Sequence, residues 1–116
     1  MRRNNLLFVE DIIEAIHKIE EFSEGLNSQK FVKDELRQSA VIRQLEIIGE
    51  AVKSLSEEFK NKYPLVEWRK IAGFRDVLIH AYFGTDIIRI WNVIKNDLPK
   101  LKKDINEILE KESNDK

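Results

Sequence analysis

The stretch Val41-Ile42-Arg43-Gln44-Leu45-Glu46-Ile47-Ile48-Gly49-Glu50-Ala51-Val52-Lys53-Ser54-Leu55 decides the fold. Ile42, Leu45, Ile48, Val52 and Leu55, with Val41 beside the first of them, recur at steps of three and four, the period of a helix that buries one face. This helix is expected to start near Asp34, to extend weakly through Phe59, and to end before Pro64, whose ring disfavours helical backbone at the residue before it. Gly49 inside it costs about 1 kcal/mol relative to alanine, so a compensating gain is expected there. Close approach of another helix, a second subunit's included, is the preferred gain, and a tolerated irregularity is the alternative.

Working outward, Val9, Ile12, Ile13, Ile16, Ile19 and Phe22 give the same period between Leu6 and Leu26, and Gly25 offers a stop. A third helix is expected from about Glu67 to Tyr82. Gly84, Thr85 and Asp86 then supply a stop, a linker and the N-cap of a fourth. That last helix carries Ile87, Ile88, Ile90, Trp91, Val93 and Ile94, is expected to kink near Pro99, and resumes with Leu101, Ile105, Ile108 and Leu109. Residues 112–116 read as a frayed tail. Four amphipathic segments with short connections predict an all-α antiparallel helical bundle, filling one domain over residues 1–116.

Composition agrees with that class. Hydrophobic residues make up 42% and charged residues 35% of the 116 residues, with 4 glycines and 2 prolines. The formal net charge of −1 lacks the basic excess of a general nucleic-acid binder, so any RNA contact must come from a local patch. Arg69-Lys70 with Arg75, and Lys100 with Lys102 and Lys103, are the two candidates, flanked by the acidic Glu67 and Asp104 respectively, and a solvated mixed-charge face is the alternative reading of both. The absence of cysteine excludes disulfides, thiolate metal sites and a cysteine nucleophile. The apolar cluster after the N-terminus is soon interrupted by Glu10, Asp11 and Glu14, which predicts neither a signal core nor a membrane span and places the protein in the cytoplasm.

The stretch that carries candidate chemistry is Arg75-Asp76-Val77-Leu78-Ile79-His80-Ala81-Tyr82. At about 100° per residue, Asp76 and His80 share a helix face and Arg75 and Tyr82 share another, while Arg75 and His80 diverge by about 140°. One straight helix cannot aim all of them at one point. A common site requires the helix to end or bend near His80, or a second subunit to complete the groove.

Imidazole titrates near pH 6.5, so His80 is suited to move a proton to or from a ribose 2′-hydroxyl or a leaving oxygen. A guanidinium stays charged and grips phosphate oxygens in bidentate fashion, which suits Arg75 to stabilise a more negative transition state. Asp76 can orient His80 and favour its charged form. Metal ligands are scarce, since the other histidine, His17, is remote in sequence and His80 with one carboxylate is an incomplete set. No metal and no cofactor are expected. Arginine and histidine five residues apart are compatible with an ordinary structural role as well, and the aromatic pair Tyr82-Phe83 with core packing. Trp68 and Trp91 read as core or dimer contacts. Glu46 and Glu50, one turn apart, suit either a pairing role with Arg75 or Arg43 or a solvated face.

Arg75 to Tyr82 resembles the Arg-x4-His-x-Tyr signature of the HepT-like toxins, within the HEPN superfamily of helical ribonucleases. The resemblance extends to residues 40–51, similar to that family's second helix, to residues 63–74, similar to the approach to its motif, and to the turns at Tyr82-Phe83-Gly84 and Asp97-Leu98-Pro99. It implies a HEPN-like homodimer with a composite ribonuclease cleft, Arg75 and His80 as the catalytic pair, and RNA, with tRNA as one candidate, as substrate. It also implies an MNT-type nucleotidyltransferase antitoxin that neutralises the toxin by transferring AMP to Tyr82. Phosphate charge and nucleotide bulk beside His80 would repel and block an RNA phosphate. One position departs from the pattern: the residue after the motif arginine is often asparagine in relatives and is Asp76 here, which adds a negative charge near the scissile phosphate. The alternative reading is a non-catalytic helical adaptor or substrate-binding subunit of a small nucleotidyltransferase.

Overall fold

The computed structural model describes residues 4–74, 77–78 and 86–114, and every regular element among them is helical. The elements are α1 (Asn5–Ser23), α2 (Ser28–Val32), α3 (Glu35–Ser54), α4 (Glu57–Lys62), α5 (Trp68–Ala72), α6 (Ile87–Asn92), a π-helical turn (Val93–Asp97) and α7 (Leu98–Asn114). Phe74, Val77 and Leu78 are also helical. The all-α expectation is met.

Their ends follow local chemistry. Asn4, Asn27, Asp34 and Ser56 each accept a hydrogen bond from the backbone N–H three residues on, satisfying a donor that the first helical turn leaves unpaired. After α1, Gly25 takes φ 77°, the left-handed conformation that only glycine adopts without steric cost.

The helices pack antiparallel where side chains report their direction. Asn5, at the start of α1, donates to Ser56 Oγ at 3.2 Å and accepts from Ser56 N at 3.0 Å, just past the end of α3. Lys102, in the first turns of α7, donates to Glu20 near the end of α1 at 2.9 Å. Thus α1 runs against both α3 and α7. Their facing sides form one core in which Val9, Ile12, Ile16, Ile19, Val41, Leu45, Ile48, Val52, Ile90, Ile105 and Ile108 are buried, with Phe31 of α2 set against Trp91 at a centroid distance of 5.3 Å.

Several boundaries differ from the sequence reading. The polar run after α1 is the N-terminus of α2, a short helix that buries Phe31 and that the period analysis had no length to detect. Helix α3 stops at Ser54 rather than running on through Phe59, because Leu55 turns extended (ψ 141°) to reach the core and Ser56 caps a new helix. The expected third helix begins as the short α5, with a turn at Gly73; its later part reaches residues outside those described.

Asp86 stands at the expected N-cap of α6 but makes no capping bond with its side chain, and lies 3.7 Å from Arg89 instead. Before Pro99 the helix does not stop. Leu98 N–H reaches back to the Val93 carbonyl, a register shift of one residue just ahead of a residue that has no N–H to donate. At the other end α7 continues to Asn114, past the point where fraying was expected.

At Gly49 a built Cβ meets nothing within 4 Å among the described residues, so the expected close approach is not made by any of their helices.

Candidate functional site

Arg75, Asp76, His80 and Tyr82 lie outside the described residues, and the segment that leads to them in the chain is α5. The approach is fixed firmly. Trp68 is buried, and its indole N–H donates to the carbonyls of Lys60 at 3.2 Å and Tyr63 at 3.1 Å, tying the start of α5 to the end of α4. Ile71 faces the core, and the short helix packs on α3. Gly73 closes the turn by donating to the Arg69 carbonyl at 2.9 Å; a Cβ at Gly73 would lie 3.3 Å from the carbonyl oxygens of both Arg69 and Lys70. Phe74, Val77 and Leu78 are 4%, 6% and 5% exposed, so the residues that bracket Arg75 and Asp76 in sequence belong to the core.

Electrostatics around α5 sort the basic residues that sequence alone treats as equivalent. Lys70 pairs with Asp97 of the π-helical turn at 3.0 Å, and this hydrogen bond, then the Asp97 charge, then that of Glu67, hold its ammonium above the ordinary lysine value. Lys100 pairs with Asp104 at 2.9 Å and lies 3.9 Å from Glu67; its ammonium is likewise raised, chiefly by the Asp104 hydrogen bond. Lys102 is engaged by Glu20. The 100–103 cluster is therefore largely neutralised.

Beside α5 an open cleft of about 730 Å³ is lined by residues of α3, α4 and α5, among them Lys53, Asn61, Trp68 and Arg69. Of the sequence-stated carboxylates, Glu46 accepts from Arg43 at 3.5 Å and Glu50 is exposed. His17 is exposed on α1, away from these elements in the chain.

Among the described residues no group of three or more histidine, aspartate or glutamate side chains is placed to hold a metal ion. None of their helices is long and apolar enough to cross a membrane. Sequence reasoning missed the Lys70–Asp97 link and the convergence of Lys53 with Arg69. Neither leaves a local signal, because each joins residues far apart in the chain.

A family model described as "Ribonuclease HepT-like" matches residues 12–108. The chain is similar to "Probable ribonuclease HepT" of Thermococcus cleftensis, 48% identical over 102 residues that span 88% of this chain and 93% of that protein. It is also similar to a "Putative RNase" of Caldanaerobacter subterraneus subsp. tengcongensis, 45% identical over 105 residues, or 90% of this chain and 94% of that one. A longer Methanocaldococcus jannaschii protein, named "Gamma-glutamylcyclotransferase and putative RNase", is 43% identical over 110 residues, covering 95% of this chain and 50% of its own length. No solved structure gives a significant match.

Proposed function

Because the chain belongs to the HepT-like ribonuclease family, we propose that it is a metal-independent endoribonuclease, acting as the toxin of a type II toxin–antitoxin pair. The observation that carries this reading is the family match over residues 12–108, which contains the whole Arg75–Tyr82 stretch. The residue chemistry supports it. The ribose 2′-oxygen attacks the adjacent phosphorus, the bond from phosphorus to the 5′-oxygen breaks, and the products are a 2′,3′-cyclic phosphate and a free 5′-hydroxyl. The proton lost by the 2′-hydroxyl and the proton gained by the leaving oxygen pass through imidazole, the role of His80. Arg75 binds the phosphate oxygens as their charge grows. Asp76 orients His80.

In this reading the protein acts as a homodimer, because each copy brings its own arginine and histidine to a shared groove and the helix geometry forbids one straight helix from assembling the set. Control rests on Tyr82. An MNT-type nucleotidyltransferase partner transfers AMP from ATP to its hydroxyl with release of pyrophosphate, and the added charge excludes RNA from the groove. RNA, tRNA among the candidates, is the substrate.

The test is cleavage by purified protein in the presence of a chelator. Activity should persist there, and His80→Ala and Arg75→Ala should each abolish it while leaving the helical circular dichroism unchanged. Chelator-sensitive cleavage, or full activity in both variants, would sink the scheme.

A further inference from the structure

We propose that the open cleft between α3, α4 and α5 is a seat for the RNA backbone, in which Lys53 and Arg69 bind phosphates of the strand leading to the Arg75–Tyr82 stretch. The choice of RNA as occupant rests on the ribonuclease reading above.

Three observations converge. First, the cleft is large, about 730 Å³, and among the described residues it is lined by Lys53, Lys60, Arg69 and Lys70 against Glu57 and Glu67, a local positive excess on a chain whose net charge is −1. Second, its cations are not equivalent. Lys60 is held by Glu57 at 3.0 Å and Lys70 by Asp97 at 3.0 Å, whereas Lys53 and Arg69 are exposed and have no ion-pair partner among the described residues. An unpaired guanidinium and ammonium on one concave surface can meet an anion without first breaking a salt bridge. Third, the cleft wall reaches Ala72, three residues before Arg75 in the chain.

The same geometry says what this seat reads. Trp68 is buried in the cleft wall with its indole N–H committed to two backbone carbonyls, so its ring is not a free platform for stacking a base. Recognition is then by phosphate charge and tolerant of sequence. The rival basic cluster at Lys100–Lys103 is the weaker track, since Lys100 and Lys102 already bind Asp104 and Glu20, leaving Lys103 alone outside these pairs.

The experiment uses the full chain carrying His80→Ala, so that bound RNA is not consumed, and measures the anisotropy of a fluorescent single-stranded oligoribonucleotide across a series of KCl concentrations. Adding Lys53→Ala and Arg69→Ala together should weaken binding about tenfold and reduce the slope of log affinity against log salt by about 1.4, the value for two lost phosphate contacts on a single strand. Lys53→Arg with Arg69→Lys should restore both quantities, and Lys102→Ala should change neither. Unchanged affinity and slope in the double alanine variant, or the same loss in Lys102→Ala, overturns the proposal. Cleavage by the wild-type chain is scored separately. If the binding loss is found but wild-type protein cuts no RNA, the ribonuclease reading fails while the RNA seat stands.

Discussion

Lys70 Nζ lies 3.0 Å from Asp97 Oδ1, joining the one-turn helix that leads into Arg75 to the π-helical turn of the last helix. The lysine is more than half exposed, so the pair contributes little to stability. Its value is positional. Asp97→Asn should leave the melting temperature within about 2 °C of wild type but lower kcat of RNA cleavage several-fold, with a smaller change in KM. Unchanged kcat would show that α5 needs no tether.

A second prediction concerns acid stability. Lys62 and Tyr63 both donate to Glu112, and these hydrogen bonds, that of Lys62 foremost, hold its carboxyl below the ordinary glutamate value. A carboxyl lowered in the folded state adds stability that is complete above its unfolded value, near pH 4.3, and is lost as pH falls through the folded value. Glu112→Gln should therefore lower the urea midpoint at pH 7 by the equivalent of about 1 kcal/mol, with the difference shrinking below pH 4. A difference that stays constant from pH 7 to pH 3 would assign the effect to packing.

Gly49 supplies a third. Its built Cβ meets open space, so Gly49→Ala should stabilise the isolated chain by about 1 kcal/mol through helix propensity alone. If the glycine is kept for a second subunit, the same change should weaken self-association, read by sedimentation equilibrium across a concentration series. Higher thermal stability with unaltered self-association would remove Gly49 from the proposed dimer contact.

Tyr82 gives the fourth. Intact mass after incubation with the partner nucleotidyltransferase and ATP should rise by AMP for the wild-type chain and not for Tyr82→Phe. Expression without that partner should arrest growth in a manner dependent on His80. Harmless accumulation of the wild-type chain would favour the adaptor role instead.

How much of this was legible beforehand depends on the range of the interaction. The period of Val41 to Leu55 and of Val9 to Ile19 identifies two core helices because burial of one face is written into residue spacing, and those side chains are buried as expected apart from Ile13, which is partly buried. The start of α3 near Asp34 was readable because it is set locally, by a side chain that acts on an N–H three residues away. Phe31, the stop at Leu55 and the anchoring of Trp68 were not readable, since each is decided by what the rest of the chain brings against it.

For the proposed site, the sequence by itself determined the candidate groups: a guanidinium, an imidazole and a phenol in one short stretch. Family membership followed from the same string of residues. Only the tertiary structure decided which charges remain available. Salt bridges at Lys70, Lys100 and Lys102 close off cations that look identical in sequence, and the meeting of α3 with α5 sets Lys53 and Arg69 around one cleft. The reason is physical: chemistry resides in the side chain, whereas the field it works in is a sum over neighbours that only folding assembles.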